Sequence, residues 1–200
     1  MSAYPTLLQE LIDAFNHLPG IGKRSAERIA LFLIESQKGE AEHLSQVVAE
    51  AKRRIVSCPI CNSFSDDGAL CGICSDGRRD KAQVCIVEYP KDTVAIEKTG
   101  AYHGVYFVLL GEIAPIDGRG PHHLDIGKLI ARVAAGEVQE VIIATDADAD
   151  GESTAMFLKS ALSAFPVSVT RIGIGIPLGT QVEFADPATL AKSMSDRRAM

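Results

Sequence analysis

Cys58-Pro59-Ile60-Cys61 and Cys71-Gly72-Ile73-Cys74 are two Cys-x-x-Cys turns separated by nine residues. Each turn can present two thiolates to one tetrahedral ion, so the quartet reads as a four-thiolate zinc site. Four protein ligands leave no open position for a substrate, which makes such a zinc structural, one ion per chain. A redox Cys-x-x-Cys needs only one pair and leaves the doubling unexplained. Residues 58–80 are too polar to fold on their own, and metal would organise them. Cys85 lies inside the apolar run Val84–Val87 and reads as a small buried side chain.

A second constellation is acidic. Val141-Ile142-Ile143-Ala144 runs into Thr145-Asp146-Ala147-Asp148-Ala149-Asp150-Gly151-Glu152, and Glu88 ends the earlier apolar run. If both runs are strands of one parallel sheet, Glu88, Asp146 and Asp148 share its carboxyl edge, where ligands gather. Together they could hold Mg²⁺, with phosphate oxygens completing its shell. Asp146, Asp148, Asp150 and Gly151 also match the opening of a calcium-binding EF-hand loop. The twelfth position is Phe157 instead of Glu, and a strand precedes the loop, so that reading fails. Asp150 and Glu152 are read as a helix cap and a dipole partner.

The third is Leu18-Pro19-Gly20-Ile21-Gly22-Lys23-Arg24-Ser25-Ala26-Glu27-Arg28. Gly20 and Gly22 allow a tight turn and a close approach of the backbone to another molecule. A helix opening after Gly22 directs free N–H groups outward, and Lys23, Arg24 and Arg28 add mobile positive charge. A nucleic-acid phosphate fits such a terminus and would carry no base information. The plainer alternative is a helical hairpin whose glycines serve only the turn. His122-His123 read as solvated loop residues, Gly173–Gly179 as a turn that ends a strand, and Lys52-Arg53-Arg54 as cations at a helix C-terminus.

Three different grammars position these groups. Helical stripes run through Leu7, Leu8, Leu11, Ile12 and Phe15, then Ile29, Ala30, Leu33 and Ile34, then Leu44, Val47, Val48, Ala51 and Ile55. Three short helices bury little and must pack on one another or on a partner. Residues 58–80 show almost no periodicity. From Lys81 onward, strands near 83–88, 104–110, 139–145 and 167–173 alternate with helices near 91–98, 124–135 and 152–164, which predicts a parallel sheet. A short helix from Pro187 and a frayed, basic end close the chain. The resulting fold class is α/β in several parts: residues 1–57 helical, 58–80 the four-cysteine element, 81–173 a parallel-sheet domain and 174–200 a C-terminal segment.

The chain has 200 residues, no Trp and a net charge of −6. Sparse aromatics argue against a stacking platform for bases. Residues 1–57 carry seven basic and seven acidic side chains, residues 58–80 two and four, and residues 81–200 eleven and fifteen. A polyanion should therefore meet the N-terminal part, and weakly unless several copies act together. No apolar run is long enough to cross a bilayer, and the first residues do not read as a signal peptide, so a cytoplasmic, nucleoid-associated location without membrane contact is expected.

LPGIGKRSAERIA resembles the helix-hairpin-helix family of nonspecific DNA-binding elements. The strand-borne Glu88 with TDADADGES resembles the Toprim domain of topoisomerases, primases and some nucleases. The order of parts, with YFVLLGEIAPIDGRGP and GIPLGTQVEFADPATL, is similar to the RecR family of bacterial recombination mediators over nearly the whole chain. That resemblance implies a non-enzymatic mediator whose dimers assemble into a tetrameric ring by joining N-terminal helices and C-terminal segments, 174–200, of neighbouring chains. It implies action with RecO-type and RecF-type proteins to load RecA on single-stranded DNA, and a long loop after the second strand that meets a partner. Many relatives carry uncharged residues where this chain has Asp146 and Asp148, so a Mg-dependent Toprim nuclease using Glu88, Asp146 and Asp148 stays open as the alternative. A zinc-stabilised interaction module that never meets DNA would leave the hairpin without a role.

Overall fold

The computed structural model describes residues 4–36 and 39–197; the last three residues of the expected basic end, 198–200, lie outside them. The chain divides into two compact units, Met1–Arg54 and Ile55–Met200.

The first unit holds α1 (Thr6–Asn16), α2 (Lys23–Glu35) and α3 (Glu40–Arg54). Ile12, Ala26 and Ala30 form its small core, with Leu8, Leu11, Phe15 and Ile21 packed against them. Leu7, Phe32, Ile34, Leu44, Val47 and Val48 stay exposed, and no residue of α3 is buried. The apolar stripes therefore exceed what this unit covers by itself. The third stripe stops at Arg54 instead of Ile55, because Ile55 opens a strand.

The second unit begins with β1 (Ile55–Ser57) and β2 (Phe64–Asp66), an antiparallel pair in which Ile55 faces Asp66 and Ser57 faces Phe64. These strands are too short for alternation to show in the sequence. One helical turn, α4 (Gly72–Ser75), follows. Next come β3 (Asp80–Val87), α5 (Pro90–Glu97), β4 (Gly104–Val108), α6 (Gly127–Ala134), β5 (Glu140–Ala144), α7 (Ala149–Leu162), β6 (Ser168–Arg171) and α8 (Pro187–Ser195).

The four longer strands make one parallel sheet in the order β4-β3-β5-β6. Alternate side chains of a strand point to opposite faces. Val84, Ile86, Val105, Phe107, Val141 and Ile143 accordingly pack with Leu129 and Val133 of α6 and Leu158 and Leu162 of α7. Cys85, Val87, Tyr106 and Val108 form the other face, against which Ile96 of α5 and Ile73 of α4 pack. Covering both faces is what lets these strands be nearly continuous in β-branched and aromatic residues.

Two helix starts differ from the expectation. The helix placed near 124–135 opens at Gly127, because Leu124 is buried in the preceding loop after a turn at Pro121–His123. The helix placed near 152–164 opens at Ala149, and its cap is Asp148, not Asp150.

Candidate functional site

The four thiols are the most concentrated chemistry in the second unit. Cys58, Cys61, Cys71 and Cys74 are all buried, and their sulfurs lie within 4.8 Å of one another. None is in a disulfide. Cys61 Sγ and Cys71 Sγ are 3.5 Å apart. Backbone N–H groups point at sulfur, from Cys71 to Cys58 Sγ at 3.5 Å and from Cys74 to Cys71 Sγ at 3.4 Å. Hydrogen bonding to Cys74 draws the Cys61 thiol down to about 5, while Cys74 is pushed up by that same bond and by burial. Burial, and after it the charge of Cys61, also pushes the Cys71 thiol up. Sulfurs at ~2.3 Å from a tetrahedral zinc fit within this spread. The cluster suits zinc.

The knuckle is tied to the sheet. The N–H of Val108 donates to the Cys61 carbonyl at 2.8 Å, and Asn62 Nδ2 donates to the Val108 carbonyl at 3.1 Å. Asn62 has φ 61°, a left-handed conformation Asn tolerates better than most residues. Its Oδ1 accepts from Lys128 Nζ at 2.9 Å. Asn62 was not singled out from the sequence.

At the carboxyl edge of the sheet, β3 and β5 are neighbours, with Val87 opposite Ala144, and β4 lies on the other side of β3. This is the switch point of an open parallel sheet, and Glu88 and Asp146 follow the two strands that flank it. Glu88 is only 1% exposed. Its Oε1 accepts from the Asp146 N–H at 3.2 Å, and its Oε2 is buried without a partner among the described residues. Burial lifts the Glu88 carboxyl to about 7, and the charges of Asp146, Glu112 and Asp148 add to the rise against the pull of the Asp146 N–H.

Asp148 caps α7, its Oδ1 accepting from the Gly151 N–H at 2.8 Å. Thr145 Oγ1 donates to the Gly151 carbonyl at 2.9 Å. A Cβ at residue 151 would run into the backbone of Asp146, so glycine is what lets the loop fold back this tightly. Asp150 lies inside the first turn, and Glu152 pairs with Arg171. Glu88, Asp146 and Asp148 share one edge as expected, but their oxygens do not converge as the four sulfurs do. Glu112, a fourth carboxylate felt by Glu88, comes from the loop after β4 and is held by Arg119 at 3.2 Å. No spacing in the sequence marks it. That loop is pinned where the Ile113 N–H donates to Thr154 Oγ1 of α7 at 2.8 Å.

In the first unit, the turn between α1 and α2 is closed by the Leu18 N–H on the Phe15 carbonyl and the Ile21 N–H on the Leu18 carbonyl, each 3.1 Å. Gly20 has φ 80°, which the turn requires. Gly22 caps α2 with extended φ −81° and ψ 165°, no side-chain cap bond and no acidic residue in the first turn. A Cβ at 22 would meet nothing within 4 Å, so the fold does not itself demand glycine there. Lys23, Arg24 and Arg28 are exposed. His122 and His123 sit exposed on a single turn with rings 4.2 Å apart, and no third ligand group gathers with them among the described residues.

Comparison with known proteins follows this division of the chain. The RecR helix-hairpin-helix family matches residues 8–52, the Toprim domain family residues 82–173, and the RecR C-terminal family residues 175–198. The chain is 43% identical over 197 residues to "Recombination protein RecR" of Moorella thermoacetica, covering 98% of both chains. It is 46% identical over 195 residues to the protein so named from Leifsonia xyli and 41% to that from Tropheryma whipplei, again over 98% of both chains. The chain belongs to the RecR family. Residues 82–173 are thus a Toprim domain, and the helical hairpin is of the RecR kind. No described helix is long and apolar enough to cross a membrane.

Proposed function

We propose that this chain, whose RecR family membership supports a role in recombination repair, is a DNA-binding recombination mediator that grips the phosphate backbone without reading sequence. The observation that carries this is the α2 N-terminus: a helix end whose cap, Gly22, offers its N–H groups no side-chain bond, bare of acidic side chains and flanked by exposed Lys23, Arg24 and Arg28. Backbone N–H groups and the positive dipole end favour a phosphate there. Gly22 is needed neither for φ nor for space within the protein, and its missing side chain leaves the helix end open to the approach of a ligand.

One such contact is weak, so the chain acts in several copies. Exposed Phe32, Ile34, Val47 and Val48 in the first unit, and Leu178, Val182, Phe184 and Met194 in the C-terminal segment, supply apolar surface for a homodimer and a tetrameric ring. A ring multiplies weak phosphate contacts through avidity. RecO-type and RecF-type proteins are its partners in placing RecA on single-stranded DNA. Cys58, Cys61, Cys71 and Cys74 hold one structural zinc, which fixes the β1–β2 element. Phosphoryl transfer by Glu88, Asp146 and Asp148 with Mg²⁺ is the weaker reading, because Asp148 is committed as a helix cap and the three carboxylates do not converge.

The direct test is fluorescence anisotropy on a labelled single strand with Lys23→Glu/Arg24→Glu. A drop of at least about tenfold in affinity, with unchanged melting, is expected for two phosphate-binding cations reversed in charge. Unchanged affinity would place the DNA elsewhere.

A further inference from the structure

The second unit contains a cleft that the DNA and zinc readings leave without a role. It lies between the four-cysteine element and α6, has a volume of about 440 Å³, and includes exposed Ile60 and Leu70 in its lining. That volume is in the range of pockets that receive ligands. Lys81, Lys128 and Arg132 also line it, against one carboxylate, Glu137. This concentration of positive charge is out of keeping with its surroundings: the first 57 residues hold seven basic and seven acidic side chains, so the rest of the chain carries the whole net charge of −6.

The three cations are in no ion pair among the described residues. Lys128 bonds to the neutral amide of Asn62 at 2.9 Å. Arg132 Nη2 donates to the Lys81 carbonyl at 3.3 Å, while its Nη1 is buried and has no hydrogen-bond partner among the described residues. Arg132 lines the cleft without a carboxylate partner among the described residues, and an arriving carboxylate would give its guanidinium a charge-assisted bond. The walls are fixed in advance, since Val108 and Asn62 tie the cysteine element to β4. A preformed site loses little entropy on binding.

We propose that this cleft docks an acidic peptide segment of a partner protein, with one bulky apolar side chain seated against Ile60 and Leu70 and flanking carboxylates on Lys81, Lys128 and Arg132. Nucleic acid fits it less well. The cleft has no aromatic ring on which a base could stack, and its apolar lining offers a phosphate nothing. A free anion would use the cations but not the apolar lining.

The test uses the full-length, zinc-loaded chain and a fluorescein-labelled heptapeptide with a central Phe between two pairs of Asp. Saturable binding is expected, weakened at least about tenfold, or 1.4 kcal/mol, when the Phe is replaced by Ala. Ala131→Trp, at an exposed α6 position that lines the cleft, and Arg132→Met, which keeps the aliphatic stem, should each weaken it about as much. Both are checked for unchanged melting, and either variant alone suffices if the other fails to fold. No binding, equal binding of the Ala peptide, or full affinity in the folded variants would overturn the proposal. So would displacement of the peptide by an equal concentration of an oligo-dT strand, which would assign the cleft to nucleic acid.

Discussion

Glu88 sits 1% exposed at the end of β3, with one oxygen on the Asp146 N–H and the other unpartnered among the described residues. Burial raises its carboxyl to about 7 from an ordinary value of 4.5. A raised carboxyl favours the folded state while it is protonated, so that advantage is complete below about pH 4.5 and is lost as pH climbs through about 7. Glu88→Gln keeps the acceptor for the Asp146 N–H and cannot ionise. Urea denaturation is expected to show the variant pulling ahead of wild type between pH 5 and 7.5, by on the order of 1–3 kcal/mol. Parallel stability profiles would mean the charge is already compensated. At this scale the cysteines were legible because two Cys-x-x-Cys turns have few other uses. Glu112 was not, because only the fold of the long loop brings it near Glu88. The sequence points to Asp150 as the cap where the structure uses Asp148, since in an Asp-x-Asp-x-Asp run the choice depends on where the strand releases the chain.

Among the elements, the longer strands and helices of the Toprim domain could be read because each has several apolar residues repeating at its own period. The three-residue strands β1 and β2 have no period to detect, and the cysteine cluster and β4 hold them in place. That dependence can be measured. Purified protein should carry about one zinc per chain, the stoichiometry of a closed four-thiolate site. After chelation, hydrogen exchange should accelerate at the Cys58, Asn62 and Val108 amides, whose acceptors are the Ser63, Cys58 and Cys61 carbonyls. Amides of α7, packed through Leu158 and Leu162 into the sheet, should keep their protection. Unchanged exchange in metal-free protein with reduced thiols would show that the element folds without metal.

For the whole molecule, the low charge of the helical unit and its uncovered apolar surface both suit the proposal that a single copy binds DNA feebly and that assembly supplies the rest. The order of parts was legible in the sequence, because hairpin, cysteines and acidic loop each carry their own signature. The surplus apolar surface was not, since a helical stripe looks the same whether its own unit or another chain covers it. The central claim is that the hairpin holds phosphates and reads no bases. It is tested most directly by following affinity against salt, for wild type and Lys23→Glu/Arg24→Glu, on two strands of unrelated sequence. Wild type should give the same steep log–log slope on both strands, and the variant a slope shallower by about one for each phosphate it no longer neutralises. An unchanged slope in the variant, or a wild-type affinity that differs sharply between the two strands, would contradict it.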